Sequence, residues 1–179
     1  MSKLLIAIVL LAPGRLVSAD NQWTLQTSTL TYQVSHPMHH VEDASHAAKG
    51  KGVCGTEECN FLVAVPVKSF DSGDSNRDLH MLQVVRGAEY PMIVVRARFP
   101  KPAEGSSTIH ADVTVQFAGQ TFEYKQLPFQ AVRQGNETRV SGTIPATLSD
   151  FKIRPPEFLM IPIKNEIPVT VETTWRAAG

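Results

Sequence analysis

Apolar and polar positions alternate along most of the chain. The clearest run is Ile109, Ala111, Val113, Val115 and Phe117, which alternate with His110, Asp112, Thr114 and Gln116. Leu30, Tyr32 and Val34 alternate with polar neighbours, as do Phe61, Val63, Val65 and Val67, and then Ile93, Val95, Ala97 and Phe99. Successive side chains of an extended strand point to opposite sides, so a period of two predicts strands with one buried face. Further runs cover Phe122 to Val132, then Val140, Gly142, Ile144, Ala146 and Leu148, and finally Ile167, Val169, Val171, Thr173 and Trp175. Turn residues separate these runs at Pro100-Lys101-Pro102, Gly105-Ser106-Ser107, Ala118-Gly119 and Gly135-Asn136. Such short spacing favours antiparallel hairpins over parallel strands with helical crossovers. Seven or eight strands of this kind can bury their apolar faces as a sandwich or as a closed barrel. Pro128 interrupts one run and predicts an edge or a bulge there.

One helix is expected within the series. Ser75-Asn76-Arg77-Asp78 resembles a capping box with Ser75 as the N-cap. Leu79, Leu82 and Val85 follow at three-residue spacing, and Gly87 is placed to supply a left-handed C-terminal residue. A second short helical turn is expected around Pro155 to Met160, and both would cover a barrel end. Asp71, Asp74 and Asp78 cluster at the helix start, where carboxylates cap a helix and favour its dipole.

The N-terminus carries an address. Lys3 precedes the apolar run Leu4 to Ala12, and Pro13-Gly14 and Val17-Ser18-Ala19 follow it. A basic residue, a short apolar core and a small-residue end make a secretory signal, with cleavage expected after Ala19. The run is shorter than the ~20 residues of a membrane span, and no later run is long enough, so no transmembrane anchor is expected after cleavage. Residues 20–179 suffice for one domain with a good core. The 17 basic and 17 acidic residues balance, and a neutral chain without a basic cluster gives no reason to propose a nucleic-acid partner. The pattern leaves monomer and homodimer both open.

Cys54 and Cys59 are the two cysteines. The intervening Gly55-Thr56-Glu57-Glu58 reads as a hairpin tip, so a structural disulfide is expected across it in an oxidising compartment. The spacing is neither that of a thiol oxidoreductase nor that of haem attachment. His36, Met38, His39 and His40 form the most distinctive polar segment, interrupted by Pro37. Imidazole and thioether ligands suit copper, so copper or another metal at these four residues is an alternative to a structural role or a place on a ligand rim. The sequence contains no nucleophile elbow, zinc-protease helix or phosphate loop, which favours a binding protein over an enzyme.

Lys68 to Leu82 contains Ser69 and then Arg77-Asp78-Leu79-His80-Met81, and Ala88-Glu89-Tyr90-Pro91 follows. This stretch resembles the central signature of the YceI-like family: a strand ending in Ser, an Arg-Asp-x-His-Leu helix and a Tyr-Pro. Val34-Ser35-His36, Asp150-Phe151-Lys152-Ile153 and the Ile167–Trp175 run match the family's early and closing regions. Met81 stands where the family usually has Leu. The His36–His40 segment and the cysteine pair are outside the family pattern.

The resemblance implies an all-β, antiparallel, eight-stranded lipocalin-like barrel with one or two short helices. It also implies a periplasmic location and binding of a polyisoprenoid or ubiquinone-type lipid, with no required cofactor. In such a barrel, alternation picks Phe61, Val63, Val65, Ile93, Val95, Phe117 and Val169 as the ligand-binding residues along the lumen. His36, Arg77, Asp78 and His80 would lie at the mouth or on the helix that closes it, with Arg77 and Asp78 holding the helix onto the barrel.

Overall fold

The computed structural model describes residues 22–36, 39–158 and 161–178; the expected signal peptide, residues 1–19, lies outside them. Four strands come first: β1 (Gln22–His36), β2 (His39–Ser45), β3 (Lys49–Cys54) and β4 (Glu58–Pro66). Helix α1 (Ser75–Val84) leads to β5 (Met92–Pro100), β6 (Thr108–Phe117), β7 (Gln120–Gln134) and β8 (Glu137–Ile144). A small pair, β9 (Glu157–Phe158) and β10 (Ile161–Pro162), precedes β11 (Val169–Ala177). Hydrogen-bonded neighbours run in the order β11, β8, β7, β6, β5, β4, β3, β1, and β11 pairs back onto β1. The sheet thus closes as an antiparallel eight-stranded barrel, the choice that alternation alone left open against a sandwich.

Strands β2 and β3 together form the return arm of one long hairpin with β1. Tyr32 faces Asp43 near its tip, and Trp23 faces Gly52 near its base, in the same register. The ladder opens between these two stretches, and β2 pairs with β1 outside the ring of eight. Its other edge is held at Ala44 and Asp71, whose backbones exchange N–H···O bonds of 3.2 and 3.0 Å.

Most of the alternating runs sit as expected, but the Phe122 to Val132 run does not: a bulge switches its inward face from Tyr124 to Phe129, and Phe122 and Val132 are exposed. Val65, Val67 and Val113 are each 1% exposed, and burying such a side chain contributes about 1.5–3 kcal/mol. A bulge in the β6–β7 ladder lies between Ala111 and Val113, opposite Leu127 and Tyr124. Gln126 there adopts a φ of 53°, and Asp112 accepts from its backbone N–H at 3.1 Å. Pro128 follows this bulge and lies just beyond the β7–β8 ladder, which starts at Phe129, so its missing N–H costs that ladder nothing.

The helix region differs from expectation in three places. The N-cap is Asp74, not Ser75: its carboxylate accepts from the backbone N–H of Asn76 (2.9 Å) and Arg77 (3.2 Å). Asp78 instead accepts from the Ser72 backbone and hydroxyl, at 3.1 and 2.5 Å. At the other end Arg86, with φ 55°, is the left-handed residue. Gly87 serves a different need, because a Cβ there would sit 2.8 Å from Leu82 Cδ2. Where a helical turn is expected from Pro155, the chain instead forms strand β9, which pairs with β10 just beyond the expected segment, and a 3-10 turn lies earlier, at Ser149–Phe151.

Candidate functional site

The barrel encloses a cavity of about 710 Å³, within the ~300–1,000 Å³ typical of small-molecule sites. Its wall is aliphatic along the middle, with Val63, Val65, Ile93, Val95, Val113, Val115, Val169 and Val171 all facing it. All come from the apolar faces of the alternating runs, because the pleat turns every second side chain inward.

Aromatic rings fill the end near the Cys54–Cys59 bridge. Phe61 stacks on Phe99 with centroids 5.5 Å apart and meets Trp175 edge-on at 4.8 Å; Trp23 lies 6.4 Å from Phe61. Glycines opposite the rings make this arrangement possible. A Cβ on Gly52 would lie 2.3 Å from the Phe61 ring, and one on Gly50 would lie 2.7 Å from Trp175. On the far wall a Cβ on Gly142 would come within 2.4 Å of Phe129. The rings occupy the space that side chains at these glycines would take. The disulfide itself, with S–S 2.05 Å, joins directly opposed residues of β3 and β4, and both cysteines line the cavity.

The opposite end is polar. Asn76, Arg77 and His80 of α1 and Glu157 of β9 are solvent-exposed and also line the cavity, which marks a mouth. Arg77 is braced by the loop before the helix, donating from Nε to Ser72 Oγ at 2.9 Å and from Nη2 to the Ser72 carbonyl at 3.2 Å. Inside the mouth the Tyr32 hydroxyl donates to Asp43 Oδ2. Asp43 is 2% exposed, and its other oxygen, Oδ1, has no hydrogen-bond partner. Burial raises the Asp43 pKa; the Tyr32 bond and Arg77 oppose this, while Asp78 and Asp71 add to it. Burial and the Asp43 bond push the Tyr32 hydroxyl well above the usual tyrosine range. Ser28 Oγ is a second buried, unpartnered side-chain oxygen among the described residues.

The YceI-like domain matches residues 22–175. The chain belongs to the YceI-like family. Solved structures of the same fold include BcnA from Burkholderia cenocepacia, with a TM-score of 0.70 at 14% identity, covering 82% of this chain and 95% of that one. A polyisoprenoid-binding domain from Saccharophagus degradans, implicated in plant cell wall breakdown, has a TM-score of 0.68 at 15% identity, covering 87% and 98%. The Campylobacter jejuni YceI protein has a TM-score of 0.53 at 13% identity, covering 97% of both chains. No curated protein sequence matches significantly.

The YceI-like barrel brings together Phe61, Val63, Val65, Ile93, Val95, Phe117 and Val169 on the cavity wall, with Arg77 and His80 at its mouth. The side chains of His36, His39 and His40, and the whole of Met38, lie outside the described residues. The backbone pairs His36 with His39 and His40 with Ser35 across the β1–β2 hairpin. These histidines thus belong to two strands, His36 to β1 and His39 and His40 to β2. Among the described residues no group of three or more His, Cys, Asp or Glu is placed to hold a metal ion. Sequence reasoning missed Asp43 and the aromatic–glycine pairs. The acidic pair Glu42-Asp43 carries no local sign of burial, and Gly52 is matched to Phe61 only by strand register.

Proposed function

We propose that this YceI-like protein binds a long apolar lipid of polyisoprenoid or ubiquinone type inside its barrel and carries it in the periplasm, without acting as an enzyme. The observation that carries the reading is the continuous aliphatic wall of the cavity, from the aromatic end to the polar mouth. An apolar chain in this space is removed from water at about 0.8 kcal/mol per CH₂, before the cost of ordering it. The Saccharophagus degradans neighbour, named for polyisoprenoid binding, supports the same ligand class. The Cys54–Cys59 bridge suits an oxidising compartment, which supports export.

Native mass spectrometry of the protein purified from an exporting host tests the proposal. A stoichiometric added mass that solvent extraction removes, and that fragments as an isoprenoid, is the expected result. An empty barrel that also fails to take up added prenyl lipid would refute it. Metal analysis of the same sample tests the copper reading of His36, Met38, His39 and His40.

A further inference from the structure

Apart from Thr138 and Thr173 near the aromatic end, the polar side chains lining the lumen gather at its mouth, and one of them is a buried carboxyl group, that of Asp43. Asp43 Oδ2 is occupied by the Tyr32 hydroxyl, whereas Oδ1 is buried without a hydrogen-bond partner and its residue lines the cavity. A buried acceptor left unmet is unfavourable, and buried polar groups normally find partners. Strand pairing fixes the location: Tyr32 and Asp43 face each other across β1 and β2, and Phe70 packs on the Tyr32 ring at 5.4 Å. The side chain is therefore held by the paired strands β1 and β2 and not by a loose loop.

We propose that Asp43 Oδ1 is the anchor for the polar end of the bound lipid, and that it selects an uncharged head group carrying a hydrogen-bond donor, a hydroxyl above all. The inference rests on the lipid-binding reading and adds to it the chemistry of the head. Three features define the choice. The Asp43 carboxyl offers an acceptor in either protonation state, and a hydroxyl can donate to it or, if it is protonated, accept from it. An ether or ester can only accept. A carboxylate or phosphate brings a further negative charge to a place where Asp71 and Asp78 already act on Asp43 and Arg77 is the opposing cation; like charges at short range disfavour that arrangement. With the head at Asp43, the tail runs away from the mouth along the valine wall toward Phe61 and Trp175.

The test uses the extracted full domain and three probes with one tail: geranylgeraniol, its methyl ether and the corresponding carboxylic acid, titrated by quenching of tryptophan fluorescence. The alcohol is expected to bind about tenfold more tightly than the ether and the acid, the factor expected for one buried hydrogen bond. In Asp43→Asn, the amide oxygen can take the Tyr32 bond and leave an N–H toward the cavity, so the alcohol should lose its advantage over the ether. Should that variant not fold, the wild-type carboxyl reports directly. The ¹³C resonance of Asp43 should move with the alcohol and stay in place with the ether. Equal affinity for all three probes would overturn the head-group inference while leaving the lipid-binding cavity intact. Binding of none of them would overturn the lipid-binding reading itself.

Discussion

Substituting Gly52 by Ala isolates the role of the aromatic rings in shaping the lumen. Gly52 has ordinary strand geometry and pairs directly with Phe61, so alanine introduces no backbone strain. Its Cβ would fall 2.3, 2.4 and 2.7 Å from three carbons of the Phe61 ring. Ordinary carbon–carbon contact begins near ~3.5 Å, so the ring must withdraw by about 1.2 Å from the nearest of these positions. It cannot withdraw freely, because Phe99 stacks at 5.5 Å and Trp175 sits edge-on at 4.8 Å. Overpacking of this kind costs about 1–3 kcal/mol, and disturbing an aromatic pair about 0.5–1.5 kcal/mol. The lower chain entropy of alanine in the unfolded state returns about 0.4–1 kcal/mol. A net loss of about 0.5–4 kcal/mol is expected, read as a lower urea midpoint by tryptophan fluorescence, since Trp23 and Trp175 flank the ring. Gly55→Ala is the control, because its Cβ meets only the Glu58 carbonyl at 3.5 Å. In a double-mutant cycle, Phe61→Leu should relieve most of the Gly52→Ala cost. Equal midpoints for Gly52→Ala and Gly55→Ala, or strict additivity with Phe61→Leu, would refute the packing argument.

Three further outcomes follow from other parts of the molecule. Burial raises Asp43 above its ordinary value of 3.8, so between that value and the raised one the folded chain holds a proton that the unfolded chain has released. The stability contributed by this group is complete below the ordinary value and falls as pH rises through the folded one. The urea midpoint of the wild type relative to Asp43→Asn should therefore decrease from about pH 4 upward, and an increase would contradict the burial argument. Replacing Cys54 and Cys59 together by alanine opens a loop whose ends are 5 residues apart in sequence, for which chain entropy gives about 2 kcal/mol; denaturation with and without reductant checks this, the variant being insensitive. Asp74→Ala removes the acceptor for two backbone N–H groups at the start of α1 and should cost about 0.5–2 kcal/mol. Hydrogen exchange should localise that loss to Ser75–Leu79.

Much of the barrel wall was legible because its period of two is a local property. The inward face of β6, Ile109 to Phe117, could be read without reference to any other strand, and so could those of β4, β5 and β11. The features that were not legible depend on pairing. Asp43 looks like a surface acid until β2 is set against β1 and it falls opposite Tyr32. Gly52 looks like any strand glycine until register brings Phe61 over it. The helix ends illustrate a different limit: Ser75 and Gly87 are good capping residues by type, but the loop geometry selected Asp74 and Arg86. Hollowness could not be read from alternation, since a solid sandwich buries the same faces. It was the family resemblance that favoured the barrel, and closure itself rests on β1 meeting β11.

That closing seam bears on how the molecule folds. Trp23 pairs with Ala177 and Tyr32 with Val169, so the seam joins segments separated by most of the domain. Every other barrel ladder but this one links strands much nearer in sequence. The chain entropy of such a distant closure must be met before its contacts contribute. An open sheet with β1 and β11 as bare edges is thus the expected late intermediate, and it is the form most exposed to pairing with another chain. Stopped-flow refolding of a variant weakened within the seam, such as Val171→Ala, distinguishes the orders of assembly. Late closure leaves the folding rate nearly unchanged and speeds unfolding, whereas early closure slows folding.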